Sequence, residues 1–151
     1  MAILDTISPY YAITLTNEDN LKKALKEIED IRDYQVPRLV AYDPHYLRMA
    51  IEARNMALMA EAQIRSILFR RETRRSLIVV REDFPYTDNK NWLKWISIKN
   101  INGHMGVEAR DIPIHRSKLQ PATREKYLSP VWNALQDMGR IKIEGGRVKW
   151  V

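Results

Sequence analysis

Residues 52–74 read "EARNMALMAEAQIRSILFRRETR", and this stretch decides the fold. Alanine, methionine and leucine are strong helix formers, and neither glycine nor proline occurs between Pro44 and Arg74. Asp43 followed by Pro44 is typical of a helix start, because aspartate caps the first amides and proline fits the first helical turn. The sequence therefore predicts one long helix over about residues 44–73.

Apolar residues cover nearly the whole circumference of this helix around residues 56–60. A helix that is apolar all round is normally buried on several sides. At 1.5 Å per residue the helix would be roughly 45 Å long. We therefore expect it to be the central element of the domain, with the other elements packed around it.

The flanking segments predict a second helix and two hairpins. Residues 18–34 place leucine and isoleucine on one face at helical spacing and charged residues on the other. Farther along, Asn102-Gly103 and Gly145-Gly146 are two-residue turns of the kind that joins antiparallel strands. The predicted fold class is mainly α: a small helical bundle around one long central helix, with one or two β-hairpins toward the C-terminus.

The composition excludes several kinds of site. The net charge of +6 is consistent with a solvated basic surface or with an anionic partner. Without cysteine there is no disulfide and no thiolate metal site. The three histidines lack the helical spacing of a metal site, and no glycine-rich phosphate motif occurs. We therefore expect no catalytic, cofactor-binding or metal-binding set within this chain alone.

Location is predicted from what the sequence lacks. No apolar run approaches the roughly 18 residues that cross a bilayer. The start, "MAILDTISPYY", lacks the basic-then-apolar pattern of a signal peptide. We therefore expect no membrane span and a cytoplasmic location.

A polar stretch, "REDFPYTDNKNWLKWI" at residues 81–96, follows the long helix and ends near two tryptophans. Its aspartates, asparagines and proline are turn formers. We expect Trp92 and Trp95 to anchor this loop to the core. The alternative is that they form an aromatic platform for a base or a flavin ring.

Charged residues interrupt the long helix and follow its end. Arg54 and Glu61 lie two turns apart on roughly one face, which favours a structural charge pair. The alternative is that Arg54 or Arg65 reaches an anionic ligand. The arginines of "FRRETRR", residues 69–75, lie where the helix dipole favours cations.

Two blocks of this sequence resemble a known family in the expected order. Residues 52–56 and 71–74 match the start and the end of a long helix in that family, and residues 81–85 and 91–94 match the loop that follows it. The sequence is similar to the C-terminal helical domain of the succinate dehydrogenase and fumarate reductase flavoproteins, which are FAD-dependent reductases. It departs from the family pattern at Arg75, which stands in place of a glycine, and in lacking the histidine that follows.

The resemblance covers about residues 16–112 and implies a part of a larger reductase that is inert by itself. In the family, FAD binds to an N-terminal domain, so FAD is implied in the parent enzyme or a partner subunit and not in this chain. The implied partner is a FAD-binding flavoprotein domain or subunit, and an iron–sulfur subunit is a second candidate. The candidate interaction residues are Arg54, Arg71, Glu72, Arg74, Arg75, Arg81, Asp83, Trp92 and Lys94.

The chain divides in this interpretation into residues 1–116, the family-like helical domain with a hairpin, and residues 117–151, a helix plus hairpin extension. The extension allows an alternative function, a basic winged-helix-like module that binds nucleic acid. Lys142, Arg147 and Lys149 would then lie near phosphates. The interpretation in which a basic hairpin caps a helical domain is favoured over nucleic-acid binding, and a steep fall of affinity with salt would reverse that preference.

Overall fold

The computed structural model describes residues 2–7, 14–74, 79–116 and 125–151. In these ranges the chain is mainly helical, with four two-stranded sheets. The α-helices are α1 (Ala2–Ile7), α2 (Glu18–Asp30), α3 (Pro44–Phe69), α4 (Asn89–Trp92) and α5 (Pro130–Asp137). A π-helical turn (Ile31–Gln35) and two 3-10 turns (Val36–Arg38, Ile114–Arg116) accompany them. The strands are β1 (Leu15–Thr16), β2 (Val80–Arg81), β3 (Tyr86–Asp88), β4 (Lys94–Ile101), β5 (His104–Asp111), β6 (Lys126–Leu128), β7 (Ile141–Glu144) and β8 (Arg147–Trp150).

Helix α2 begins at a side-chain cap. The Asn17 carboxamide oxygen accepts a hydrogen bond from the Asn20 amide at 3.0 Å, which satisfies one of the free amides of the first turn. Leu21, Ala24 and Ile28 are buried on one face, as the amphipathic pattern predicts. The chain then tightens into the π-helical and 3-10 turns and leads toward α3.

Helix α3 starts as the sequence predicts. The Asp43 carboxylate accepts from the Tyr46 amide at 2.9 Å, and Pro44 occupies the first turn, where its missing N–H is no loss. Ala57, Ala60 and Ile64 pack against α1 and α2 in one buried cluster. Small alanines in this seam allow the two helices to approach closely.

The expectation that α3 is buried on several sides is wrong, because its outer side is exposed. Leu58 and Met59 lie within the stretch that is apolar all round, yet their exposed fractions are 52% and 69%. Within the described ranges, helices cover only one side of α3, because α1 and α2 pack against the same seam. Across those ranges no helix, α3 included, has the length and apolar character to cross a bilayer.

Helix α3 also ends earlier than the pattern predicts. Its last residue is Phe69, and Arg70 adopts an extended backbone conformation with φ −80° and ψ 111°. The prediction ran on to residue 73 because "RRETR" contains no helix breaker. Beyond the helix end the Glu72 side chain is fully buried, and Arg70 and Arg74 bond it from either side along the chain.

The two hairpins form at the predicted turns. Strands β4 and β5 pair in register from Lys94 with Asp111 to Ile101 with His104. Asn102 and Gly103 have φ of 52° and 85°, the left-handed values that favour asparagine and glycine in such turns. Strands β7 and β8 form the second hairpin.

The C-terminal segment joins a second small core. Strand β6 pairs antiparallel with β3, and β1 pairs in parallel with β2. Val80, Trp132 and Ile141 are buried together. Residues 125–151 thus pack on the loop after α3, and this places the charged loop residues between two apolar clusters.

Candidate functional site

The sequence candidates at the end of α3 and in the following loop come together in one arrangement. We call Arg70, Glu72, Arg74, Arg81 and Asp83 the arginine–carboxylate cluster. Its carboxylates come from the turn after α3 and from the loop after β2. Glu72 and Arg81 are buried, with exposed fractions of 3% and 1%. A buried charge requires a partner and hydrogen bonds on its remaining polar atoms.

Glu72 is the centre of the first half of the cluster. The Arg74 guanidinium donates to both of its carboxylate oxygens, at 2.6 and 2.9 Å, and Arg70 donates to one of them. The backbone amide of Asp88 adds a hydrogen bond of 2.9 Å. Both oxygens of Glu72 are therefore satisfied, and this carboxylate is not available to a ligand.

Arg70 and Arg74 also fix the loop that follows. Arg70 donates to the carbonyl oxygens of Trp92 and Lys94 at 2.9 and 2.8 Å. Arg74 donates to the side-chain oxygen of Asn89 at 2.9 Å. These bonds fasten the end of α3 to the start of the β4–β5 hairpin.

Arg81 and Asp83 form the second half of the cluster. Their two parallel hydrogen bonds measure 2.7 and 2.6 Å, a bidentate geometry that is stronger than a single contact. A further Arg81 nitrogen donates to the Ile67 carbonyl in the last turn of α3 at 2.7 Å. Strand β2 thus supplies a cation, Arg81, that complements the C-terminal end of helix α3.

Asp83 links the cluster to helix α2. Its second oxygen also accepts from the Glu18 amide at 3.0 Å, the first amide of α2. A carboxylate at a helix N-terminus is favoured by the dipole and by the free amides there. One ion pair therefore connects the end of α3 with the start of α2.

The tryptophans and Lys94 take different positions. Trp92 is half-buried and packs edge-on against Phe69, with ring centroids 5.8 Å apart, so it fastens the loop to the end of α3. Trp95 is 55% exposed, and the expectation that it anchors the loop to the core is wrong. Trp92 is the last residue of the short helix α4, whereas Trp95 lies on strand β4. Lys94 pairs with Asp111 across the hairpin at 3.5 Å.

Two further candidates, Arg54 and Arg71, are not part of the cluster, and a third is not described. Arg54 is exposed on the outer side of α3, and the predicted pair with Glu61 does not form. Arg71 is exposed; its charge helps to lower the pKa of Glu18, after the hydrogen bond and the charge of Lys22. Arg75 lies outside the described residues. Whether any of these three contacts a partner stays a prediction.

Glu61 has partners that sequence spacing did not reveal. This carboxylate is buried between Arg32 and Arg65, and Arg65 also donates to Glu29 at 2.6 Å. Hydrogen bonds to Asp33 and then to Glu61 raise the pKa of Arg32 above its usual value. The i, i+4 step from Glu61 to Arg65 was readable from the sequence, whereas Arg32 comes from another helical segment.

Thr73 organises the loop backbone, a role that the motif at residues 71–74 did not indicate. Its hydroxyl donates to the Phe84 carbonyl at 2.8 Å and accepts from the Arg81 amide at 2.9 Å. Thr87 donates to the Thr73 carbonyl at 2.7 Å. The indole of Trp132 donates to the Arg81 carbonyl at 3.1 Å. Buried hydroxyls of this kind are recognised only once the backbone groups that they bond are placed.

Asp88 caps the short helix α4. It accepts from the Asn91 amide at 3.1 Å and from the Asn91 side chain at 2.7 Å. Burial acts to raise the pKa of Asp88, but these hydrogen bonds and the charge of Lys126 outweigh it and hold the pKa below its usual value. Asp88 is therefore a structural carboxylate that stays ionised.

An open cleft of 640 Å³ borders the loop. Its walls carry acidic residues, Glu18 and Asp83 among them, beside basic residues such as Arg71 and Arg147. This mixture selects neither an anion nor a cation. In the described part of the chain no group of three histidines, aspartates or glutamates has the geometry to hold a metal ion.

The three basic residues that would contact nucleic acid, Lys142, Arg147 and Lys149, lie on the β7–β8 hairpin. Lys149 pairs with Glu144 at 2.6 Å, while Lys142 and Arg147 are exposed. Helix α5 and the hairpin have the order of a winged helix. Nucleic-acid binding by this segment stays a prediction.

The comparisons with known proteins agree on one family. Residues 4–126 match the family model described as "Fumarate reductase flavoprotein C-term". An uncharacterised FAD-dependent oxidoreductase of Methanocaldococcus jannaschii is 35% identical over 110 residues, which are 73% of this chain and 19% of that protein. The structure of adenylylsulfate reductase from the hyperthermophilic Archaeoglobus fulgidus superposes with a TM-score of 0.64 at 28% identity, over 73% of this chain and 17% of that one.

The chain therefore spans about a fifth of the length of the curated relative that it matches. The matched residues include both halves of the arginine–carboxylate cluster. Residues 127–151, with helix α5 and the second hairpin, lie beyond the match. This chain belongs to the fumarate reductase flavoprotein C-terminal family.

Proposed function

We propose that this chain is the C-terminal domain, or a separately encoded subunit, of a fumarate reductase/succinate dehydrogenase-like FAD-dependent oxidoreductase. It packs against the FAD-binding and capping parts and mediates subunit contacts. One observation carries the proposal: the family match covers residues 4–126, while the matched FAD-dependent relative is about five times longer than the aligned segment. The redox chemistry then belongs to the remaining parts of the enzyme.

The use of the charged residues supports a structural role for this chain. Arg81 and Asp83 bond each other, and Glu72 bonds Arg70, Arg74 and the Asp88 amide, so these carboxylates are already engaged and are not free to bind substrate. A cluster of this kind holds the end of α3, the start of α2 and the loop in one fixed arrangement. A fixed arrangement is what a domain needs when it serves as a platform for another.

The proposal assigns partners as well as a role. FAD is held by the flavoprotein domain or subunit, and this chain supplies no ligand to it. An iron–sulfur subunit is a second candidate partner, by analogy with the family. The complex is proposed to reside in the cytoplasm.

Isolation of the native assembly tests this function. The chain is tagged at one end in its source cells and purified at moderate salt, and the eluate is scanned for flavin absorbance. The proposal expects a yellow complex in which the flavin stays with the polypeptide, or the region, that continues the family match. A colourless preparation of this chain alone, at low as well as moderate salt, would contradict it.

A further inference from the structure

The first half of α3 and the turn before it expose an unusual amount of apolar surface. Of the large apolar side chains that are exposed in the described ranges, ten of eighteen belong to residues 34–59. Single exposed apolar residues are normal, but a concentration of them marks an interaction site. This region is therefore the strongest candidate for a contact surface on the described part of the chain.

Four exposed positions of α3 share one face. Residues 47, 51, 54 and 58 fall within an arc of about 60° on a helix of 3.6 residues per turn. Leu47, Ile51 and Leu58 are each about half exposed, at 53%, 52% and 52%. We call these three leucine and isoleucine side chains, with Arg54 between them, the outer stripe.

The outer stripe is distinct from the core face of the same helix. Ala57, Ala60 and Ile64 point into the cluster shared with α1 and α2, on a different side of α3. The stripe residues contribute little to that core, since half of each side chain is accessible. Selection for folding of this chain alone does not explain three large apolar residues at these positions.

Arg54 gives the stripe a charge preference. No carboxylate in the described ranges lies within ion-pair distance of its guanidinium, whereas the neighbouring Arg48 pairs with Glu52 at 3.1 Å. A free guanidinium flanked by apolar side chains fits a partner surface that is apolar and carries a carboxylate opposite Arg54. Such a pair would be desolvated when the apolar surfaces meet, so it would select one register.

The occupant is inferred from the length of the relatives and from the geometry of the stripe. Relatives carry about four fifths of their length outside the segment that this chain matches. The stripe lies within the matched residues 4–126, where a contact common to the long relatives would lie. A second copy of this chain is disfavoured, because a two-fold contact centred on the stripe would set two Arg54 guanidinium groups against each other.

We propose that the outer stripe is the surface that docks the flavin-binding part of the reductase. The contact is made by apolar side chains and by a carboxylate of the partner that faces Arg54. This proposal rests on the proposed function. The β7–β8 hairpin and α5, which lie beyond the family match, stay outside this contact.

Site-specific photocrosslinking tests the proposal. The photoreactive amino acid p-benzoylphenylalanine replaces Ile51 in one variant and Met138, on the extension, in a matched control. Each variant is tagged, expressed in the source cells and irradiated, and the crosslinked peptides are sequenced by mass spectrometry. We expect the Ile51 variant, and not the Met138 variant, to crosslink to a flavin-carrying polypeptide or to the flavin-binding region of the same polypeptide.

The other outcomes separate the two proposals. Flavin-carrying material that copurifies but crosslinks only from position 138, or from neither position, overturns the outer stripe and leaves the proposed function standing. A crosslink from position 51 to a second copy of this chain also overturns the stripe as a flavoprotein contact. Absence of any flavin-carrying partner in the copurification overturns the proposed function, and the stripe assignment falls with it.

A charge series tests the role given to Arg54. Arg54→Glu is expected to weaken association with the copurified flavoprotein by about tenfold or more, because it sets a carboxylate against a carboxylate. Arg54→Lys keeps the charge and should retain most of the affinity. Arg147→Glu, an exposed charge reversal on β8, is the control and should have no effect. Equal losses for Arg54→Glu and Arg147→Glu would show a general charge effect and overturn the specific pairing.

Discussion

The two ends of helix α3 differ in burial, and each is the opposite of what its composition suggests. At its C-terminal end, charged residues such as Glu72 and Arg81 are buried and bonded on every side. Along its N-terminal half, apolar residues such as Leu47 and Ile51 are exposed. The comparison teaches that hydrophobicity by itself did not decide what is inside. A charge is buried where partners surround it, and an apolar residue is exposed where no part of the described chain covers it, which is where we propose that a partner surface lies.

Among the charged residues, the largest effect is expected at the C-terminal end of α3. Glu72→Gln removes the negative charge between Arg70 and Arg74, and two cations are left partly buried without a counterion. We expect a loss of about 3 kcal/mol in the free energy of unfolding, at the low end for a broken buried pair because both arginines are partly exposed. Urea denaturation followed by tryptophan fluorescence measures it.

Glu144→Gln is the matched control for that change. Glu144 pairs with Lys149 on the surface, so its substitution should cost less than about 1 kcal/mol. Equal losses in the free energy of unfolding for Glu72→Gln and Glu144→Gln would mean that burial does not strengthen the ion pairs of Glu72. That result would contradict the comparison.

A tryptophan pair gives the next effect. Trp132→Phe removes the indole N–H that bonds the Arg81 carbonyl and leaves a small void, and we expect a loss of about 2 kcal/mol. Trp95→Phe, at an exposed position, should change stability by less than about 0.5 kcal/mol. Thermal or urea unfolding of both variants checks this ranking, and a larger loss at Trp95 would contradict it.

A smaller effect concerns acid stability. The pKa of Asp88 is lower in the folded state than in the unfolded state. The ionised carboxylate therefore stabilises the fold fully at pH values above the unfolded-state pKa. This stabilisation is lost as the pH falls through the lower, folded-state pKa. Asp88→Asn should therefore reduce stability near neutral pH and lose its difference from the native chain in strong acid. Urea midpoints measured from neutral to strongly acidic pH test this; a difference that does not change with pH would contradict the assignment.

The smallest expected effect concerns the apolar half of α3. Ile51→Ala on the outer stripe should change the free energy of unfolding of the isolated chain by less than about 0.5 kcal/mol. Ile64→Ala makes the same chemical change on the core face of the same helix and should cost about 2–5 kcal/mol. Paired denaturation curves compare the two, and a large loss for Ile51→Ala would show that the stripe belongs to a core of this chain.

Local signals in the sequence were sufficient to predict the elements. Asp43-Pro44 started a helix and Asn102-Gly103 joined two strands, because caps and tight turns depend on neighbouring residues alone. The family was also readable, since the motifs at residues 71–74 and 81–85 occur in order.

Local sequence signals did not predict which side of each helix is buried. A stretch that is apolar all round predicts burial, but it does not reveal whether the covering surface lies in the same chain, so Leu58 and Met59 were misplaced. The partner of Glu61 was missed because Arg32 lies 29 residues away. The end of α3 was missed because residues 70–74 contain no helix breaker, while their side chains bond the loop that follows.

The central claim is that the exposed apolar half of α3 faces the flavin-binding part of a reductase. Two methionines test it most directly, because Met59, the residue after Leu58 of the outer stripe, and Met138 on the extension have nearly equal exposed fractions of 69% and 71%. Methionine oxidation is measured by mass spectrometry on the isolated chain and on the native flavin-containing assembly. The account predicts equal oxidation of both in the isolated chain and protection of Met59 alone in the assembly. Protection of Met138 with Met59 still oxidised would contradict it.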